Sequence, residues 1–152
     1  RAVQPEIGIG TDIIVGFPGE TEEDFEQTLS LCREVEFDNA FLFKYSQRRD
    51  TPAVAMPDQI PETVIQKRHA RLLKEVDEIR GRKLSEYIGA QMEVLVEGPS
   101  HRNAARLEGR TRCNKIVVFE GGERLAGQVI NVKITDATQS TLYGDPAIMN
   151  LN

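Results

Sequence analysis

Cysteine is scarce in this 152-residue chain: Cys32 and Cys113 lie far apart and show no metal-ligand spacing. An iron–sulfur cluster takes about three or four thiolates, so this chain alone can build none. Two thiols so far apart in the sequence fit a reducing compartment. Long apolar runs are missing as well, and none approaches the roughly 20 residues that a membrane span needs. The opening Arg1-Ala2-Val3-Gln4-Pro5 holds neither a signal-peptide core nor a starting methionine. No membrane association is expected, the expected compartment is cytoplasmic, and a chain that starts in mid-phrase points to a fragment. There is no low-complexity segment and no long internal repeat.

What is present is the composition of a folded protein, 39% hydrophobic and 28% charged, long enough for one ordinary domain or two small ones. The net charge of −5 argues mildly against nucleic acid until the chain is divided. Up to Tyr87 there are 12 basic and 17 acidic residues; from Ile88 onward there are 7 of each. The acidic excess is therefore confined to the first part. In the second, Arg102, Arg106, Arg110, Arg112 and Lys115 crowd into one basic stretch.

The first part reads as β-α-β-α. Residues 7–15 are rich in β-branched and apolar types, and Ile13-Ile14-Val15 is continuous, as expected of a strand buried on both faces. Gly16-Phe17-Pro18-Gly19 breaks it. Thr21 then offers an N-cap, with Glu22, Glu23 and Asp24 where a helix dipole favours negative charge. Phe25, Leu29 and Cys32 recur at helical spacing, which predicts a helix over 22–36 with Cys32 buried. A second buried strand follows at 39–45, completing a βαβ unit with parallel strands. Residues 46–59 form a loop with Pro52 and Pro57. Pro61 then opens a helix that runs to about Tyr87, with Gly81 as a possible kink and His69 in a structural place near its apolar face.

After Gly89 the texture changes to short strands, at 91–97, 105–111, 115–119, 128–137 and 141–144. Turns fall between them at Gly98-Pro99, Gly121-Gly122 and Gly127. Five strands in about 60 residues suit a small closed barrel of the OB type. The fold class is thus α/β followed by all-β, with one domain over 1–87 and another over 88–152.

Two places could carry function. Gly16 and Gly19 end a parallel strand, where glycine lets the backbone approach a ligand; many such turns, however, only cap a helix. In the second part Arg110, Arg112 and Lys115 stand beside Asn114, a set suited to phosphates and 2′-hydroxyls of folded RNA. The competing reading is a solvated face paired with Glu108, Glu120 and Glu123. Phe119 is assigned to the core rather than to base stacking.

The segment Asp12-Ile-Ile-Val-Gly16-Phe-Pro-Gly19-Glu20-Thr21 resembles the glycine-containing strand of radical S-adenosylmethionine enzymes, in the form found in methylthiotransferases. The likeness continues through Phe37 to Phe41, Tyr45 to Arg48 and Thr51-Pro52-Ala53. In the second part, Gly109 to Gly121 and Val132 to Ala137 resemble the TRAM domain of such enzymes. Within the family, the nearest members add a methylthio group to isopentenyl-adenosine beside the anticodon. The resemblance implies the closing portion of a radical S-adenosylmethionine (βα) barrel, then a five-stranded TRAM barrel. It implies S-adenosylmethionine and two [4Fe–4S] clusters in the whole enzyme, with cluster ligands absent here and this chain inactive alone. It implies that Gly16, Gly19, Glu20, Phe43 and Ser46 line the nucleotide, and that Arg110, Arg112, Asn114 and Lys115 contact RNA. The implied partners are a tRNA anticodon stem-loop and the N-terminal part of the enzyme. No residue of this chain is assigned to catalysis or to metal. Arg48-Arg49-Asp50 stands where the family reads Arg-Pro-Gly, so Asp50 must take a turn conformation that glycine adopts freely. Two alternatives remain open: a methylthiotransferase acting on a ribosomal protein, and a stand-alone RNA-binding module.

Overall fold

The structure, a computed structural model, describes residues 3–4 and 7–147. They form seven strands, two α-helices and two short 3-10 turns. Two compact units result, one of residues 9–80 and one built mainly of residues from 81 onward. The last five residues of the expected second domain, 148–152, lie outside the described residues.

The first unit holds strand β1 (Gly10–Val15), helix α1 (Glu22–Val35), strand β2 (Asn39–Lys44) and most of helix α2 (Glu62–Ser85). β1 and β2 pair in parallel, Gly10 opposite Asn39 through Val15 opposite Lys44. α1 starts where the sequence places it: the Thr21 side chain accepts from the Asp24 amide, and the Asp24 carboxylate accepts from the Thr21 amide. It ends on Glu36 in the left-handed region, whose N–H bonds to the Cys32 carbonyl. Phe25, Leu29 and Cys32 of α1 pack with Val15, Ile65, Leu72, Val76 and Ile79 in one core. α2 is helical through Gly81.

Two expectations need correcting. β1 begins at Gly10, three residues later than expected, and neither strand is buried on both faces. Alternation sends Val15, Ala40 and Leu42 to the helices, while Ile14, Phe41 and Phe43 remain 55%, 64% and 50% exposed. The reason is topological: α1 and α2 cover one side of the sheet, and nothing in the unit covers the other. Nor do the described residues of this unit close a barrel; they make a two-stranded sheet.

The second unit is a closed barrel of β3 (Gln91–Pro99), β4 (Leu107–Thr111), β5 (Ile116–Phe119), β6 (Val129–Ala137) and β7 (Leu142–Pro146). Its order is β3-β4-β5-β7-β6, with β5 and β7 parallel and the other pairs antiparallel. That is the five-stranded OB arrangement expected from the sequence. Val94, Val96, Leu107, Val117, Phe119, Ile130, Val132, Ile134 and Leu142 fill the interior, and Leu84 from the end of α2 joins them. Phe119 is 1% exposed, so it serves the core. Closure brings strands so close that a Cβ on Gly109 or Gly144 would collide with the backbone oxygen of Leu95 or Lys133.

Candidate functional site

In the first unit the turn after β1 is held from behind. Gly16 has φ +79° and a Cβ there would lie 2.5 Å from Ile65 Cγ1, so only glycine fits. Its N–H donates to Glu20 Oε2 at 2.9 Å. The same oxygen accepts from Arg68 Nη1 at 2.6 Å, and that nitrogen also reaches the Glu20 carbonyl at 3.0 Å. Arg68 Nε and Nη2 bind Glu22 Oε2, and the guanidinium lies 5.6 Å from the Phe25 ring centroid. Burial works against the Arg68 charge, but the Glu20 and Glu22 carboxylates outweigh it and hold its pKa above the ordinary value. Glu20, expected beside a nucleotide, therefore has its carboxylate committed to the turn and to Arg68. Gly19 (φ +86°) has open space around it, and its N–H donates to the Asp58 carbonyl.

In front of the turn, on the open side of the sheet, Ile14, Phe17, Phe43 and Ser46 border a cleft of about 480 Å³. Phe17 meets Tyr45 edge-on, centroids 5.3 Å apart. The Tyr45 hydroxyl is buried with no hydrogen-bond partner. Phe43 and Ser46 thus come together at one cleft, with Tyr45 between them in the expected 43–46 stretch, and Phe17 joins them unannounced by the sequence. Asp50 adopts φ +64°, the left-handed conformation expected of it in this turn, which Asp tolerates. His69 Nε2 donates to the Leu42 carbonyl at 3.2 Å, a structural contact on strand β2.

Among the described residues no group of three His, Cys, Asp or Glu comes together to hold a metal ion. Cys32 is 1% exposed, and burial, reinforced by Glu75, raises its thiol pKa. This chain's residues do not fit an iron–sulfur cluster.

On the barrel, strand pairing sets out the outer face. Leu95, Arg110 and Ile116 form one row across β3, β4 and β5; Glu108, Val118 and Tyr143 form the next across β4, β5 and β7. The loop between β3 and β4 overhangs these rows and is fixed by its own backbone: Ser100 N–H to the Arg106 carbonyl, Asn103 N–H to Ser100, Arg106 N–H to Asn103. A groove of about 570 Å³ results, and Arg102, Arg106 and Arg110 line it. In this barrel type the second and third strands and the first loop are the face that binds oligonucleotides.

The four expected RNA residues separate. Arg110 is held at 3.2 Å by Glu97 and donates to Asn114 Oδ1 at 2.9 Å. Arg112 is 87% exposed and 3.0 Å from Glu93. Asn114 occupies a turn at φ +59°, its N–H on the Thr111 carbonyl. Lys115 departs from expectation: it is 7% exposed, its ammonium 5.0 Å over the Tyr87 ring. A buried cation spent on an aromatic face is not presented to a phosphate. The acidic partners expected for a solvated face are partly the wrong ones: Arg106 pairs with Glu120, but Glu93 and Glu97 take the strand arginines. Arg102, missed as a site residue, is exposed with no ion pair among the described residues.

Comparison with known proteins finds likeness in both parts of the chain. Residues 85–147 match the TRAM domain family. Most of the chain is about half identical to the C-terminal part of tRNA-2-methylthio-N(6)-dimethylallyladenosine synthases. The Clostridium novyi protein of that name is 50% identical over 145 residues, which are 95% of this chain and 32% of the relative. That of Akkermansia muciniphila is 51% identical over 146 residues, 96% of this chain and 32% of the relative. That of Methylacidiphilum infernorum is 45% identical over all 152 residues, again 32% of the relative. The chain spans about a third of the length of the curated relatives it matches. Among the described residues no helix is long and apolar enough to cross a membrane.

Proposed function

We propose that this chain is the tRNA-binding end of a tRNA methylthiotransferase that modifies carbon 2 of isopentenyl-adenosine next to the anticodon. The observation that carries the reading is a barrel of the right family whose outer face holds Arg102, Arg106, Arg110 and Arg112, in a chain about half identical to synthases of that name. The barrel contacts the anticodon stem-loop through phosphates, with Arg110 and Arg112 exposed enough to exchange Glu97 and Glu93 for them. Relatives that act on tRNA by name favour this over a ribosomal-protein substrate or a stand-alone binding module.

The βαβ unit is, in the same proposal, the closing slice of a radical S-adenosylmethionine barrel. Its uncovered apolar face, Ile14, Phe41 and Phe43, is then the lining of an interior completed by the rest of the protein. The cleft residues fit an adenosine: flat apolar walls from Ile14, Phe17 and Phe43, the Ser46 side chain at the border and the unsatisfied Tyr45 hydroxyl. S-adenosylmethionine, when bound with a [4Fe–4S] cluster, supplies the radical chemistry. Gly16 and Gly19 keep the backbone low beside the cleft, and Glu20 with Arg68 holds that turn. The clusters take their ligands from outside this chain, which alone is inactive. The cytoplasm, where tRNA is modified, is the proposed compartment.

The test is a salt titration of tRNA binding by the 152-residue chain, with and without Arg110→Ala/Arg112→Ala. Removing one phosphate-binding cation flattens the slope of log K against log salt by about 0.9. The double variant is expected to flatten it by one to two such steps, roughly, and to weaken binding at low salt. An unchanged slope and affinity would assign both arginines to a solvated face.

A further inference from the structure

We propose that the outer groove of the barrel is a subsite for one unpaired RNA nucleotide, its base stacked on Tyr143 and its phosphate held by Arg102 and Arg106. This deepens the tRNA-binding reading and rests on it. Three observations carry it.

The first is the floor. Val118 points outward from β5, yet it is only 7% exposed, because groove walls rise around it. Tyr143, its partner across the β5–β7 ladder, is partly exposed beside it. An apolar floor next to an available aromatic face suits a planar base, whose π-face stacks without regard to sequence. The volume of about 570 Å³ lies within the range of pockets that hold small ligands, about 300–1,000 Å³.

The second is which charges are left over. Glu97 pairs with Arg110, and Glu108 accepts from the His101 backbone N–H at 3.1 Å, with His101 Nε2 3.6 Å from its other oxygen. Arg102 has no ion pair among the described residues, and Arg106 has only a 3.6 Å contact to a 77%-exposed Glu120 carboxylate. The two arginines on the overhanging loop are therefore the cations available to an incoming phosphate. A third observation fixes their placement: three backbone hydrogen bonds and the Asn103 Oδ1 contact to the Ala105 N–H order that loop before any ligand arrives. A stacking face and two phosphate donors at one groove select a base splayed out of a helix, since paired bases keep their faces to themselves.

The chain contains no tryptophan and three tyrosines, Tyr45, Tyr87 and Tyr143, so its intrinsic emission reports on tyrosine alone. The experiment titrates the full 152-residue chain with an eight-nucleotide single-stranded RNA, a blunt RNA duplex of equal length, and a tRNA transcript. The single strand is expected to bind more tightly than the duplex and to quench part of the tyrosine emission. Tyr143→Ala should weaken single-strand binding by about tenfold. Tyr143→Phe should keep the affinity within about twofold, because the phenyl ring still stacks, and should lose the quench. Arg102→Ala should flatten the single-strand salt slope by about 0.7. A thermal melt accompanies each variant; should Tyr143→Ala fail to fold, the quench in Tyr143→Phe decides. If tRNA binds but Tyr143→Ala is indifferent, or Tyr143→Phe keeps the full quench, or duplex and single strand bind alike, the subsite is overturned and the tRNA reading stands. If neither tRNA nor the single strand binds the wild-type chain, both fall.

Discussion

Removing the guanidinium of Arg68 tests how the glycine turn is held. Arg68 is 8% exposed and the Glu20 side chain 11%, so this ion pair is screened little by solvent. Deleting one partner of a buried pair costs about 3–5 kcal/mol, because the remaining charge stays desolvated without its counterion. Here the stranded charge is the Glu20 carboxylate, which keeps only the Gly16 N–H. The bonds to Glu22 add little, since that carboxylate is 63% exposed. Loss of the cation from the Phe25 face removes about 0.5–1 kcal/mol more. Arg68→Met keeps the unbranched stem and so isolates the charge.

The assay is amide hydrogen exchange read on peptides spanning 10–35. A loss of about 3–5 kcal/mol of opening free energy speeds exchange there by roughly a hundred- to a few-thousandfold. Glu20→Gln in the Arg68→Met background removes the stranded charge and should restore part of the protection, which gives the coupling its sign. Less than a tenfold change in Arg68→Met would refute the reasoning, and the turn would then be held by Gly16 and the helix cap alone.

Gly109→Ala should abolish barrel closure, with lost protection in β3 and β4, because the added Cβ meets the Leu95 backbone oxygen, which cannot move aside without breaking the ladder; a folded variant with native protection would overturn this. Asp24 has its pKa lowered, first by the Thr21 side-chain hydrogen bond and then by the Thr21 amide, so its folded value lies below its unfolded one. The cap is therefore at full strength above the unfolded value of about 3.9 and weakens as pH falls through the folded value, and Asp24→Asn should remove that dependence from α1 exchange. Phe41→Ser should cut hydrophobic-dye binding with little loss of stability, as the side chain is 64% exposed; unchanged dye signal would place the apolar surface elsewhere. After anaerobic reconstitution with iron and sulfide the chain should stay colourless, and stoichiometric iron with visible absorbance would reveal ligands beyond the two cysteines.

Strands and helices were legible wherever a local rule decides them. The Thr21 cap, the acidic first turn and the 3.6 period fix α1 to within a residue, because a helix end is a contest among a few neighbouring groups. The five barrel strands come from turn glycines and alternation, and Ile130, Val132 and Ile134 do face the interior. Burial of the first two strands was misread for a non-local reason. An apolar run has the composition of a doubly covered strand, but composition does not say which elements, if any, lie on each face. Ile14 and Phe41 carry the pattern of the interior and are exposed here.

The site was less legible, and the four arginines and Lys115 show why. Charge counting treats them as equivalent, but the strand pleat and one tight turn sort them. Arg110, Arg112 and Lys115 flank the bend at Asn114, whose left-handed conformation reverses the chain, ties Thr111 to Lys115 and leaves the lysine buried against Tyr87. No sequence period encodes that reversal, although Asn at a strand end is the residue that tolerates it. The groove was harder still. Arg102 and Arg106 lie on a loop, while Tyr143 arrives from β7 beside β5 through a parallel pairing that joins positions 25 residues apart. Local reading sees Tyr143 only as one residue of a short alternating strand. Its place next to Val118 follows from barrel closure, so a surface assembled by closure becomes visible only once the order β3-β4-β5-β7-β6 is known.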